Sequence, residues 1–184
     1  MNNENDFEIM NVTIFKCNKD LEEVIIPDNI VAIYDYAFEE CPSLKKVTIG
    51  NSCKIIGDAA FIATAIEELE LPDSVETIGK HAFRLCSSLK SISLPKNIDC
   101  IDMMTFVGCT NLKSIKIPNK VTAIKHLAFG DCDNLEIAEI PPNVSSIDKD
   151  AFYRCKRLVI KGSAGSYAEK YAKENEIPFE AIEG

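Results

Sequence analysis

The stretch Asn119–Pro141, N-K-V-T-A-I-K-H-L-A-F-G-D-C-D-N-L-E-I-A-E-I-P, decides the fold. Its skeleton is V-x-x-I-x-x-x-A-F-x-x-C-x-x-L-x-x-(I/A)-x-I-P, and it recurs through most of the chain. Phe15, Phe38, Phe61, Phe83, Phe106, Phe129 and Phe152 follow one another at steps of 23, 23, 22, 23, 23 and 23 residues. A fixed period of this size marks a solenoid, in which each unit buries its apolar face only against its neighbours. The 184 residues are therefore read as a single elongated array. Residues 1–20 form a partial first repeat or N-terminal cover, 21–160 the repeats, and 161–184 a C-terminal cap.

Within each unit L-x-x-I-x-I has the two-residue spacing of a strand. Six such segments run Leu21–Ile26, Leu44–Ile49, Ile66–Leu71, Leu89–Leu94, Leu112–Ile117 and Leu135–Ile140. Proline, which lacks an amide donor, closes five of them; Gly50 stands at the sixth. Asn29, Ser52, Ser74, Asn97 and Asn143 follow, short polar side chains suited to a tight turn, with Lys120 the exception. V-x-x-I then predicts a short extended piece on the opposite side. The spacing of Ile124, Ala128, Phe129, Cys132 and Leu135 fits one helical or 3₁₀ turn that aims ring and thiol inward.

Met10–Leu21 aligns with Ile33–Leu44 at a shift of 23, so the chain begins partway through a unit. Met1–Asp6, with Phe7 and Ile9, is expected to cover the open end of the stack or hang free. The unit between Gly50 and Leu71 departs most from the pattern. It is one residue short and carries Gly50 for proline, Cys53 for a branched residue and Thr64 for the recurring cysteine. A hydroxyl in an apolar column needs a partner, and this unit is expected to be the soft spot. At the other end Leu158–Ile160 reads as a last strand. Ser166 and Glu169 have the form of a capping box for a short helix ending at Asn175, and Ile177–Ile182 is apolar enough to pack back.

Composition narrows the function classes. Apolar content of 46% suffices for a continuous core, and the net charge of −9 argues against nucleic acid and anionic membranes. No apolar run approaches membrane-spanning length. The eight cysteines are not a disulfide framework: Cys41, Cys86, Cys109, Cys132 and Cys155 share one repeat position, which places reduced thiols in an interior column. Cys17, Cys53 and Cys100 lie outside it, Cys53 at a core position. No C-x-x-C pair occurs, and with only His81 and His126 no zinc site or other metal or cofactor site is expected. The two histidines lack a positioned partner for catalysis, and Gly162–Ser166 reads as a cap turn rather than an anion nest because it lacks the lysine of a phosphate loop.

The unit A-F-x-x-C-x-x-L-x-x-I-x-I-P closely resembles the BspA-like leucine-rich repeat family, from about Met10 to Ile160. The ending G-S-A-G-S-Y-A-E-K-Y-A-K-E-N-E-I-P-F is similar to the family's terminal cap. The resemblance implies a curved right-handed solenoid with a parallel β-sheet on its concave face and short strands or 3₁₀ turns on the convex side. It also implies adhesion or protein binding, no catalytic residues, and a secreted or cell-surface address. Met1–Asp6 has neither a basic start nor an apolar core of a leader; a cytoplasmic address follows if the chain is complete as given.

Outward-pointing strand positions form columns. The second gives Glu22, Lys45, Glu67, Lys90, Lys113 and Glu136, and the sign alternation across Glu22, Lys45, Glu67 and Lys90 is read as avoidance of repulsion between stacked strands. The third and fifth are the candidate protein-binding columns, with Glu23, Lys46, Glu68, Ser91 and Ser114 in one and Glu70, Ser93, Lys116 and Glu139 in the other. The expectation is a monomeric, non-enzymatic module that holds an unidentified protein on its concave face. The alternative is a structural spacer of a longer surface protein with no ligand of its own.

Overall fold

The computed structural model describes residues 7–10, 13–17, 20–39 and 41–182. In chain order the strands are β1 (Phe7–Met10), β2 (Thr13–Cys17), β3 (Glu23–Ile26), β4 (Ala32–Ile33), β5 (Lys46–Ile49) and β6 (Ile55–Ile56). They continue with β7 (Glu68–Glu70), β8 (Thr77–Ile78), β9 (Ser91–Ser93), β10 (Cys100–Ile101), β11 (Ser114–Lys116) and β12 (Ala123–Ile124). Then come β13 (Ile137–Ile140), β14 (Ser146–Ile147), β15 (Val159–Gly162), the helix α1 (Tyr167–Glu174) and β16 (Phe179–Ala181). From β3 to β15 a longer odd-numbered strand alternates with a two-residue even-numbered one. Like strands of successive units stack in the same direction and pair in parallel within several ladders, so the chain is a leucine-rich-repeat solenoid with a long-strand face and a short-strand face.

The repeat positions explain the packing. Phe38, Phe61, Phe83, Phe106, Phe129 and Phe152 form one stack of rings, with neighbouring centroids 4.9, 5.5, 5.4, 5.3 and 5.1 Å apart. Each fully buried apolar side chain stabilises by about 1.5–3 kcal/mol, much of it offsetting chain entropy. Beside the rings, Cys86, Cys109, Cys132 and Cys155 each donate Sγ–H to the carbonyl of the phenylalanine one unit back (Phe61, Phe83, Phe106 and Phe129), at 3.0–3.2 Å. Cysteine suits this position because it fills an apolar slot and still offers a weak donor. Thr64 keeps the column satisfied, its hydroxyl 3.3 Å from the Cys86 sulfur.

The turn carrying each phenylalanine differs from the expected helical or 3₁₀ turn. Isolated i→i+3 bonds are present, such as Arg84 N–H to His81 O and Cys86 N–H to Phe83 O. Between them, however, residues such as Tyr36, Ala59, His81, Leu85, Leu127 and Asp131 take positive φ. That reorients alternate amides along the stack, and they donate to the next unit: Phe83 N–H to Thr105 O, Leu85 N–H to Val107 O, Asp131 N–H to Tyr153 O. Interunit bonding offsets the roughly 1–2 kcal/mol that a left-handed residue costs.

The polar turn residues also reach further than expected. Ser74 bonds to Cys53 O, Asn97 to Asp73 O and Asn143 to Asn119 O, each in the preceding unit, so they staple units together. Lys120 joins the same ladder through Asn97 Oδ1 at 2.7 Å. Gly50 is not a loose substitute for proline. Its N–H donates to Ile26 O at 2.8 Å, and an added Cβ would lie 2.7 Å from the Pro27 carbonyl carbon.

Two registers depart from the sequence alignment. Ile14, not Met10, pairs with Ile33, so Phe15 follows the place of Ile33 by one and stands in strand β2 rather than in a phenylalanine turn. The step of 23 from Phe15 to Phe38 is therefore no rung of the array. Met1–Asp6 and the side chains of Phe7 and Ile9, expected to cover the stack, lie outside the described residues. At the far end Ile137 pairs with Val159, a shift of 22, because the unit lacks one residue between Leu158 and Val159.

The cap follows the expected order. Ser166 Oγ accepts from Glu169 N–H, although the return bond from Glu169 goes to Gly165 N–H rather than to Ser166. Asn175 ends α1. Tyr171 tilts against Phe152 with centroids 6.1 Å apart, and its hydroxyl donates to Lys149 O. Ile177–Ile182 does more than pack back: β16 pairs in parallel with β15 and extends the long-strand sheet.

Candidate functional site

Strand alternation sends Val24, Val47, Leu69 and Ile115 into the core and leaves the third and fifth positions exposed on the long-strand face. In-register pairing brings the candidate residues side by side: Glu23 with Lys46, Glu68 with Ser91, Glu70 with Ser93, and Lys116 with Glu139. Two of these pairs are ion pairs, Lys46 with Glu23 and Lys116 with Glu139, the latter at 3.0 Å. Ser114 sits opposite Ile137. Glu68 and Glu70 take part in no ion pair among the described residues, so the face is acidic around β7 and uncharged on the serines of β9.

The second column behaves as the alternation of signs requires. Lys45 meets Glu22 at 3.4 Å and Lys90 meets Glu67 at 2.6 Å. The Lys90 hydrogen bond holds the Glu67 carboxyl below its usual range, and Glu67 in turn raises the lysine. Both groups are fully exposed, so solvent screens most of that interaction.

The long-strand sheet is not continuous. Its ladders are β3-β5, β7-β9 and β11-β13-β15-β16, with breaks at β5/β7 and β9/β11. The first break coincides with the short unit. At the second, Ile92 and Leu94 are only partly buried and a groove of about 620 Å³ opens. Ile92, Leu94 and Ile117 floor the groove, and Ser93, Lys96, Lys116 and Lys120 stand around it. No carboxylate lines it, although Lys96 and Lys116 are paired outside it with Asp73 and Glu139. A smaller cleft of about 150 Å³ shares Lys116, Ile117 and Asn119 and continues toward Glu139 and Ile182.

The structure thus brings Ser93 and Lys116 together at the groove, places Glu139 in the adjoining smaller cleft, and leaves Glu23 and Lys46 at the opposite end of the face. Lys161 and Glu180, paired at 2.8 Å, extend the fifth column and were not anticipated. The missing residue before Val159 hides Lys161 from an alignment at a step of 23. The groove floor was not anticipated either, since Ile92 and Leu94 look like ordinary core positions in the repeat.

Other chemistry is sparse. The Nδ1 of His81 is buried without a hydrogen-bond partner among the described residues, and burial, with Arg84 nearby, holds its pKa below the ordinary value. His126 Nδ1 lies 2.8 Å from Asp150 on the exposed turn. Burial pushes the thiols of Cys53 and Cys86 up to about 11. Among the described residues no group of three His, Cys, Asp or Glu is placed to hold a metal ion, and no helix is long and apolar enough to cross a membrane.

Comparison with known proteins agrees with this geometry. The model of the BspA-type leucine-rich repeat region matches residues 8–124 and 86–161, in six copies. The structure is similar to that of a leucine-rich repeat protein from T. pallidum, at 26% identity and a TM-score of 0.79, covering 91% of this chain and 89% of that one. A leucine-rich repeat protein from Eubacterium ventriosum shares the fold at 23% identity and a TM-score of 0.67, covering 92% and 48%. A leucine-rich cell surface protein from Faecalibacterium prausnitzii does so at 24% identity and 0.51, covering 84% and 62%. The chain therefore spans under two thirds of the length of these last two proteins. No curated protein matches the sequence. The repeat unit, the stacked phenylalanines and the matched model agree: the chain belongs to the BspA-type leucine-rich repeat family.

Proposed function

We propose that the chain is a non-enzymatic protein-interaction module that holds its partner on the long-strand face, centred on the groove between β9 and β11. The observation that carries this reading is the groove itself. It is the place on that face where partly buried apolar side chains, Ile92 and Leu94, lie open between polar rims. Apolar surface rimmed by polar groups is the usual anatomy of a protein contact. The candidate residues divide accordingly. Ser93 and Lys116 border the contact, Glu139 lies in the adjoining cleft, and Ser91 and Ser114 lie two strand positions away from its rim. Glu68 and Glu70 supply an acidic flank, whereas Glu23 and Lys46 neutralise each other beyond it. Adhesion at a bacterial surface is a role this reading allows, and the cell-surface relative supports it.

A photo-crosslinking residue at Ser93 tests the proposal, with one at exposed Thr122 on the short-strand face as the control. Ser93 should capture a defined partner, and reversing the charges of Glu68, Glu70, Lys116 and Glu139 should abolish that capture. Equal capture from both faces, or capture unchanged by the reversal, would overturn it in favour of a spacer without a ligand.

A further inference from the structure

One unit is open where its neighbours are closed. The two inward positions of the long strand hold Val47 and Ile49, Leu69 and Leu71, and Ile115 and Ile117 in three other units, each 7% exposed or less. Ile92 and Leu94 hold the same positions and are only partly buried. With Ile117 they line the groove of about 620 Å³, a size within the range of roughly 300–1,000 Å³ usual for ligand clefts.

Backbone groups are open there too. Leu71 N–H donates to Ser93 O at 3.0 Å, and Ile117 N–H donates to Glu139 O at 2.9 Å. The bond that would repeat between them, from Leu94 N–H to Lys116 O, is not made. Its donor belongs to one wall of the groove and its acceptor to the other. A peptide carries both a carbonyl and an amide to meet them. A fatty acid or a phosphate carries no such amide.

The rim sets the sign of the occupant. Lys96, Lys116 and Lys120 border the groove and no carboxylate does, in a chain of net charge −9. Lys96 meets Asp73 at 2.6 Å and Lys116 meets Glu139 at 3.0 Å, both carboxylates lying outside the groove. Lys120 makes no ion pair among the described residues, and its Nζ donates to the neutral Asn97 Oδ1 at 2.7 Å. An acidic group entering the groove therefore meets a cation that the fold has not neutralised. Nucleic acid would meet that cation together with the acidic flank of Glu68 and Glu70 and a net negative chain, which its phosphates oppose.

Resting on the reading that this groove is the contact, we propose that its occupant is an extended, acidic segment of the partner protein. An apolar side chain of the segment lies on Ile92, Leu94 and Ile117. A neighbouring carboxylate meets Lys120, and a carbonyl of the segment accepts from Leu94 N–H. Successive side chains of an extended chain point to opposite sides. A segment that alternates acidic and apolar residues can thus set one kind on the floor and turn the other toward the lysines.

The test uses the full chain, three short fluorescein-labelled peptides and fluorescence polarisation. One peptide alternates glutamate with leucine, a second has lysine in place of the glutamates, and a third has serine in place of the leucines. The first should bind at least about tenfold more tightly than either of the others, with an affinity that falls as salt rises. Lys120→Glu should weaken it at least about tenfold. Lys80→Glu, beyond β8 and with the same change of net charge, should leave it unaltered. Both lysines are exposed, and the wild-type comparison decides the matter even if a variant fails to fold. Equal binding of the three peptides, no loss in folded Lys120→Glu, or displacement of the first peptide by equimolar dodecanoate would overturn the assignment. A Ser93 crosslink that maps to a basic or uncharged partner segment also overturns it and leaves the interaction module standing. Equal capture from both faces removes both.

Discussion

Cys109 Sγ lies 3.2 Å from the carbonyl oxygen of Phe83, one unit back, while the Phe83 ring stacks on Phe106 at 5.4 Å. One cysteine therefore serves both the apolar column and the hydrogen-bonding of the preceding turn. Cys109→Ala removes a buried sulfur and a donor together and should cost about 1–3 kcal/mol. Urea denaturation with far-UV circular dichroism measures it. Cys109→Thr should cost less, because Thr64 already occupies this place with its hydroxyl satisfied.

Gly50 offers a sharper case, since proline stands at the other five equivalent positions. A consensus argument would make Gly50→Pro stabilising. The structure predicts the reverse: the substitution deletes the N–H that donates to Ile26 O and forces atoms into a space 2.7 Å from Pro27. A loss of about 3 kcal/mol is expected, seen as a lower urea midpoint. An unchanged or higher midpoint would refute the close approach.

His81 combines positive φ, a buried Nδ1 with no partner among the described residues and a depressed pKa. Because the folded pKa lies below the ordinary 6.5, the unfolded chain binds the proton first as pH falls. Stability should therefore decrease from about pH 6.5 down to the folded-state value and be fully present above that window. Besides Arg84, the charged groups facing the ring are Asp58, Lys80 and Asp102. His81→Asn, which tolerates left-handed backbone, should abolish this part of the pH dependence. Parallel denaturation of both proteins at pH 5 to 8 checks it; identical slopes would contradict the assignment.

Amide exchange should expose the breaks in the long-strand sheet. Residues 68–71 and 114–117 border the β5/β7 and β9/β11 interruptions, whereas Ile137–Ile140 is paired on both sides. Exchange should be faster at the first two segments than at the third. Uniform protection along all three would mean that the interruptions have no energetic weight and that the short unit is no soft spot.

The residues also explain what was legible in the sequence and what was not. Stacking places identical side chains in columns, so Phe61, Cys109 and Ile124 announce the core through their spacing alone. Left-handed backbone leaves no such trace: Tyr36, Leu85 and Leu127 carry no chemical signature of the conformation that their neighbours impose. Register is equally silent where a residue is lost. Leu158-Val159 shortens the last unit and hides Lys161, and the step to Phe15 matches the period while Ile14 takes the pairing position. The candidate columns could be read because side-chain alternation is strict. The groove could not, because it arises where β9 and β11 stop pairing, a relation between units rather than a property of either.

The amides of the phenylalanine turns, such as those of Phe83 and Leu85, point toward the following unit. Those flanking the short strands, such as Lys54 N–H to Val31 O and Lys125 N–H to Ile101 O, point toward the preceding one. The two sets of peptide dipoles run in opposite directions along the same axis and offset each other. An α-helix, by contrast, aligns its dipoles and acquires a positive and a negative pole. This stack can therefore lengthen by further units without building up charge at its ends.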